Sequence, residues 1–178
     1  MFDPTIFENL KVAFENRLYD LDNIEGSVTV TGRRDLLDLA VMSRELTLQF
    51  VLAGGDTGKG TAEAELVLGA PLSELAAEIL ETPGAVPGCG LLIRFRLWVS
   101  DPDRDCAEIG QIVHDVWEPQ LPPVQTLSYT YGEERARWLD TVEVRFNRMV
   151  NEEQMEDIPE LLGYAVHTLE RLAAISGR

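Results

Sequence analysis

Arginine side chains at regular spacing are the groups best suited to chemistry in this sequence. Arg94, Arg96 and Trp98 alternate along an apolar segment, and a β-strand would place them on one face. Arg145 and Arg148 lie in, or just after, a second segment with strand character. If these two strands were neighbours, the guanidinium groups would form an anion site through charge-assisted hydrogen bonds.

The same arginines have a simpler explanation, which we favour. Glu65 and Glu143 also lie in predicted strands, and opposite charges that face each other across strands stabilise a sheet modestly. The arginine spacing carries no geometry of its own, so it does not identify a ligand. As an alternative hypothesis we retain four candidate binding residues: Arg94, Arg96, Trp98 and His114.

A histidine with two acidic neighbours is the next candidate. His114 and Glu118 lie one turn apart near the end of a predicted helix, and Asp115 lies between them. Two such ligands would hold a metal only with a third from elsewhere, and the sequence has no His-x-x-x-His pair. Because a helix C-terminus stabilises a cation, His114 has a sufficient structural role there. We predict no metal site.

A glycine-rich segment at residues 54–61 has the composition of a phosphate-binding loop. Ala53 stands where that loop needs Gly, and Gly60 stands where it needs Ser or Thr. The residues that follow alternate like a strand, so the helix N-terminus that would hold phosphate is missing. A hairpin loop is the better interpretation.

Three aspartates, Asp101, Asp103 and Asp105, have the spacing that opens a calcium loop. Cys106 occupies the position of the required Gly, and Ile112 that of the bidentate Glu, so we interpret the aspartates as a helix start. The sequence also lacks a Gly-x-Ser-x-Gly nucleophile motif. We therefore predict no catalytic residue and no cofactor.

The charge balance restricts the partners of this chain. Among 178 residues, 15 are Lys or Arg and 31 are Asp or Glu, which gives a net charge of −16. This acidity repels phosphate backbones, so it argues against nucleic acid, and it permits a basic protein partner or a cation. The two cysteines have no Cys-x-x-Cys spacing. With no signal-peptide pattern and no long apolar stretch, we expect a cytoplasmic protein without membrane attachment.

The firmest structural predictions lie in the C-terminal third. Segments 124–131 and 138–146 are predicted strands joined by a Gly-Glu-Glu turn, and a long amphipathic helix should cover this hairpin. Two start signals precede the helix, Asn151 with Gln154 and Asp157 with Glu160. Pro159 favours the second start because proline is tolerated only in a first turn.

The rest of the chain completes an α+β pattern. We predict strands at 26–31, 43–53, 61–68 and 91–99 and helices at 72–80 and 101–117. Residues 33–42 either extend the first strand irregularly or form a helical turn. Residues 4–22 are ambiguous, and we favour a short turn at 4–9 followed by a strand. The sum is one domain, residues 1–178, with a mainly antiparallel sheet of about six to seven strands and three helices packed on it, of which the C-terminal one is long.

Three segments carry a resemblance to a family. Residues 117–126 (WEPQLPPVQT), residues 151–160 (NEEQMEDIPE) and the opening MFDPT resemble an uncharacterised family of small cytosolic proteins from spore-forming Gram-positive bacteria. The likeness spans the whole chain and implies a bacterial protein. It implies no activity and no binding residues. The order strand, strand, helix at 44–81 also recurs at 124–174, which is a weak indication of internal duplication.

Two functional hypotheses follow from the sequence. The favoured one is a non-enzymatic acidic protein that acts through protein contacts, either by forming a homo-oligomer or by binding a basic protein. The alternative is a protein, in one version an enzyme, that binds a small molecule or an anion in a pocket between the sheet and its helices. Arg94, Arg96, Trp98 and His114 are the residues expected to serve such a pocket.

Overall fold

The computed structural model describes residues 5–55, 58, 60–133 and 137–178. Within these residues the chain forms an antiparallel sheet of six strands and four α-helices, which confirms the α+β prediction with one more helix than expected. The strands are β1 (Val28–Asp38), β2 (Ser43–Leu52), β3 (Glu63–Ala70), β4 (Gly90–Val99), β5 (Val124–Ser128) and β6 (Trp138–Arg145). The helices are α1 (Ile6–Asn23), α2 (Leu72–Ile79), α3 (Pro102–Trp117) and α4 (Ile158–Ser176), and a 3-10 helix spans Glu152–Asp157.

The sheet follows chain order except at one end. Its strands lie in the order β1-β2-β3-β4-β6-β5, and all neighbours are antiparallel. The two predicted hairpins, β2 with β3 and β5 with β6, are confirmed. Residues 56, 57 and 59 of the glycine-rich connector and Glu134 of the predicted Gly-Glu-Glu turn lie outside the described residues.

Alternation along the strands separates two faces of the sheet. In β4 the residues Leu91, Ile93, Phe95, Leu97 and Val99 are buried, while those between them are half-buried. The buried set faces α1, α3 and α4, which all pack on this side. Successive side chains of a strand point to opposite faces of the sheet, so a sheet that helices cover on one side has one buried and one more exposed face. The other side of the sheet is referred to below as the open face.

The prediction of a strand in residues 4–22 is wrong. The segment forms one continuous helix, α1, because Phe7, Leu10, Phe14, Leu18 and Leu21 repeat at helical spacing and are all buried. The alternation seen in the sequence was accidental. The helix needs no glycine at its end, since the chain turns only at Gly26, whose φ is 63°.

Both predicted helix starts near the C-terminus are found, although the Asp157 side chain makes no capping hydrogen bond. Asn151 and Gln154 form a reciprocal capping box, but it begins the short 3-10 helix rather than the long helix. α4 then begins at Ile158 with Pro159 in its first turn, as predicted. The expectation that the long C-terminal helix covers the last hairpin needs correction. α4 packs on β2, β3 and β4, whereas α3 contacts β4 and β6. No helix within the described residues is long and apolar enough to cross a membrane.

Candidate functional site

The open face of the sheet carries the predicted arginines, and carboxylates already bind them. Arg96 Nη1 lies 3.0 Å from Glu65 Oε2. Arg94 also pairs with Glu65, and its Nη2 lies 3.1 Å from Glu143 Oε1. Trp98 is half-buried on the same face of β4. The favoured cross-strand pairing is confirmed, and an anion would have to displace these carboxylates.

Glu65 is the centre of this ion network. Its side chain is only 2% exposed, because the two arginines and Gln49 cover it. Burial by itself would raise the pKa of Glu65, but hydrogen bonds from Arg96 and Gln49 outweigh it and hold the pKa below its ordinary value. Glu65 therefore stays ionised and fixes the positions of the arginines.

The other two predicted arginines, Arg145 and Arg148, lie in different surroundings. Arg145 Nε donates to Glu143 Oε2 at 3.1 Å, so it belongs to the edge of the same network. Arg148 lies in the loop after β6 and has no hydrogen-bond or ion-pair partner among the described residues. Its side chain lines a cleft instead.

His114 lies on the helix side of the sheet, away from the arginines of the open face. It is exposed on α3 and lines a small hollow with Asp115, Glu118 and Pro119. Asp115 is engaged elsewhere, since its Oδ2 lies 3.4 Å from Arg171 Nη2. The described part of the chain contains no group of three or more metal-ligating side chains. The structure thus does not bring the four predicted binding residues into one site, and their binding role stays a prediction.

A larger cleft opens where one end of the sheet meets the helices. It has a volume of about 740 Å³ and lies between the ends of β4 and β6 on one side and α1, α3 and α4 on the other. Leu10, Phe14 and Leu91 are among the apolar residues that line it. A pocket between sheet and helices was expected, but the sequence placed none of these residues in it.

Three aromatic rings dominate the wall of this cleft. The Trp117 ring centre lies 6.1 Å from that of Phe146 and 5.8 Å from that of Tyr164, at interplanar angles of 70° and 68°. Trp117 Nε1 donates to Thr168 Oγ1 at 2.9 Å, which fixes the indole. Sequence analysis missed this cluster because its rings come from three separate elements.

Acidic groups outnumber basic ones around the cleft. Glu118, Asp157 and Glu160 line it, together with Arg145 and Arg148. Glu118 ends α3 in the left-handed conformation, with φ at 41°, a position where glycine is the usual residue. The only indication of this helix end in the sequence was the tripeptide Trp-Glu-Pro at the end of the predicted helix.

A buried polar cluster lies between α3 and the last hairpin. Asp140 is fully buried and accepts a hydrogen bond from Cys106 Sγ at 3.7 Å. Burial raises the pKa of Asp140 to about 6, although the Cys106 bond lowers it. Burial, together with Asp140, raises the pKa of Cys106 to about 11, so its thiol stays neutral. Asp140 Oδ1 and Gln125 Oε1 have no hydrogen-bond partner among the described residues.

A cluster of exposed apolar side chains lies at the end of the β1–β2 hairpin. Between residues 36 and 42 five large apolar side chains are exposed by 45% to 73%: Leu36, Leu37, Leu39, Val41 and Met42. β1 is an edge strand, so its outer backbone groups are available for pairing. An apolar hairpin end on an open sheet edge is typical of a contact surface.

Comparison with known proteins finds no matching family, no matching curated protein and no matching solved structure.

Proposed function

We propose that this protein acts through protein contacts, and that its primary partner is a second copy of itself, bound along the outer edge of β1. The exposed apolar end of the β1–β2 hairpin is the observation that carries this proposal. Two identical edge strands related by a twofold axis would pair as antiparallel strands and continue the sheet.

The available part of the edge is limited by α1. The backbone N–H of Val30 donates to Asp22 Oδ2 at 2.9 Å, so a helix side chain already satisfies the edge at that point. A bulge between Val30 and Gly32 then interrupts the strand. The segment from Arg33 to Asp38 remains for a partner strand.

The sequence of this segment is self-complementary. In a twofold pair, opposite residues share a face of the sheet, so their numbers are both even or both odd. With Leu36 opposite Leu36 of the second copy, Arg34 lies opposite the partner's Asp38, and the reverse pair forms by symmetry. Opposite charges in this arrangement stabilise the pairing.

Neighbouring registers are less favourable. Registers centred on Asp35 or Leu37 place Arg34 opposite the partner's Leu36 or Ala40, so that its pair with Asp38 is lost, and one centred on Arg34 sets two guanidinium groups against each other. In the register centred on Leu36, Asp35 lies opposite the partner's Leu37. This is acceptable because Lys11 Nζ at 2.9 Å and Arg44 Nη2 at 3.1 Å already neutralise Asp35.

A charge exchange tests the register directly. Sedimentation and native mass spectrometry should show the wild-type chain as a dimer of twice 19.9 kDa over a concentration series. Arg34→Asp should give a monomer, since it places two acids opposite each other. The double variant Arg34→Asp/Asp38→Arg restores opposite charges and should restore the dimer.

Arg34 suits this test because it is exposed and has no partner among the described residues, so its replacement leaves the fold intact. Circular dichroism checks that all variants fold equally. A wild-type chain that stays monomeric at every concentration contradicts self-association. A dimer that survives Arg34→Asp contradicts the register.

A further inference from the structure

We propose that the cleft between α3, α4 and the end of β6 binds a small organic cation, an ammonium group that carries an apolar alkyl or aryl body. The volume of about 740 Å³ is in the range of small-molecule sites. The residues of the cleft are distinct from those of the β1 edge, so this inference does not depend on self-association.

The aromatic wall suits a cation. Phe146 and Tyr164 both stand nearly perpendicular to Trp117, so the three rings meet edge to face rather than as a stack. The faces of such rings carry partial negative charge and attract ammonium groups. The indole N–H is already bonded to Thr168, which leaves the ring to interact through its π system.

The charges around the cleft also favour a cation. Glu118, Asp157 and Glu160 contribute three carboxylates. The guanidinium of Arg145 is paired with Glu143, so Arg148 is the unpaired cation in the lining, among the described residues. The net charge of −16 on the whole chain raises the local concentration of any cation further.

One carboxylate is held in place next to the rings. The Tyr164 hydroxyl donates to Glu160 Oε1 at 2.7 Å, one helical turn away on α4. The pKa of Tyr164 is raised by this bond, so the phenol stays protonated and keeps donating. The aromatic cluster and the acidic group are therefore joined through Tyr164.

The test uses three soluble probes of similar size: benzyltrimethylammonium, benzyl alcohol and benzoate. Binding is followed by NMR through the Trp117 indole N–H, which is assigned with a Trp117→Phe variant. We expect the cation to bind more tightly than the neutral alcohol and benzoate not to bind. Because the attraction is electrostatic, affinity for the cation should fall as salt is added.

Variants separate the contributions of ring and charge. Tyr164→Leu should weaken binding of the cation about fivefold, whereas Tyr164→Phe keeps the ring and should retain most of the affinity. Glu160→Gln should weaken it about threefold. Glu170→Gln is the matched control, since Glu170 lies on the same helix, is exposed and does not line the cleft.

Three outcomes would overturn the inference. Benzoate would bind more tightly than the cation and lose affinity in Arg148→Gln if the cleft were an anion site. Equal affinity for all three probes would show an apolar pocket without charge preference. Absence of any shift at the Trp117 indole would exclude the cleft as a site for these ligands. Each of these results is independent of the oligomeric state.

Discussion

Asp140 is a buried residue whose ionisation opposes folding. It is fully buried, and its pKa of about 6 lies above the ordinary value of 3.8. Between these two pH values the folded protein keeps a proton that the unfolded chain has released. The contribution of Asp140 to stability therefore falls as pH rises through this window and is constant above it.

The variant Asp140→Asn isolates this effect because it removes the charge at constant shape. At pH 7.5 we expect it to be more stable than wild type by at most about 3 kcal/mol, and the difference should vanish below about pH 4. Urea unfolding across the pH range measures it. The neutral thiol of Cys106 does not titrate in this window, so a difference that does not change with pH would contradict the assignment.

At the residue scale, the sequence allowed good prediction of pairs but not of sites. Glu65 and Glu143 were expected opposite the arginines because alternation places them on one face, and the structure confirms this. The cleft could not be predicted in the same way. Its residues run from Leu10 to Tyr164 and meet only when the ends of several elements converge.

At the scale of elements, predictions succeeded where the spacing of apolar residues fitted only one type of secondary structure. β4 alternates without exception, and no helix accommodates that pattern. α4 was equally clear, since Leu162, Ala165, Leu169 and Leu172 repeat at helical spacing and are buried. α1 failed because Leu10, Val12 and Phe14 also alternate. Only tertiary packing shows which of the two periods is used.

Two substitutions in α1 distinguish helix from strand. Val12 is 47% exposed and Phe14 is 2% exposed, although a strand would place both on one face. Phe14→Ala should lower the free energy of unfolding by about 3–5 kcal/mol. Val12→Ala should change it by less than about 0.5 kcal/mol. Chemical denaturation measures both, and equal losses would contradict the helix.

At the scale of the whole molecule, charge opposes the proposed self-association. Each copy carries −16, so two copies repel at long range. The contact itself is nearly neutral, since Arg33 and Arg34 balance Asp35 and Asp38. Salt screens the long-range repulsion more strongly than it weakens close pairs.

We therefore expect the dimer to become tighter when salt is raised from low to physiological concentration. Sedimentation at several salt concentrations measures the dissociation constant. The double variant Arg34→Asp/Asp38→Arg, which keeps the net charge, should show the same trend. A dimer that weakens steadily with salt would mean that the local charge pairs, rather than the apolar residues, provide most of the contact.

The position of β6 between β4 and β5 has a consequence for biosynthesis. β1 to β4 are synthesised in the order in which they pair in the sheet. The second neighbour of β4, however, is β6, which is synthesised after β5. Until Arg145 has been synthesised, the nascent chain carries β4 with one unpaired edge and without α4 over its apolar face. Unpaired edges of this kind recruit other chains. Every molecule thus passes through a stage of vulnerability to aggregation that ends only when β6 and α4 have left the ribosome.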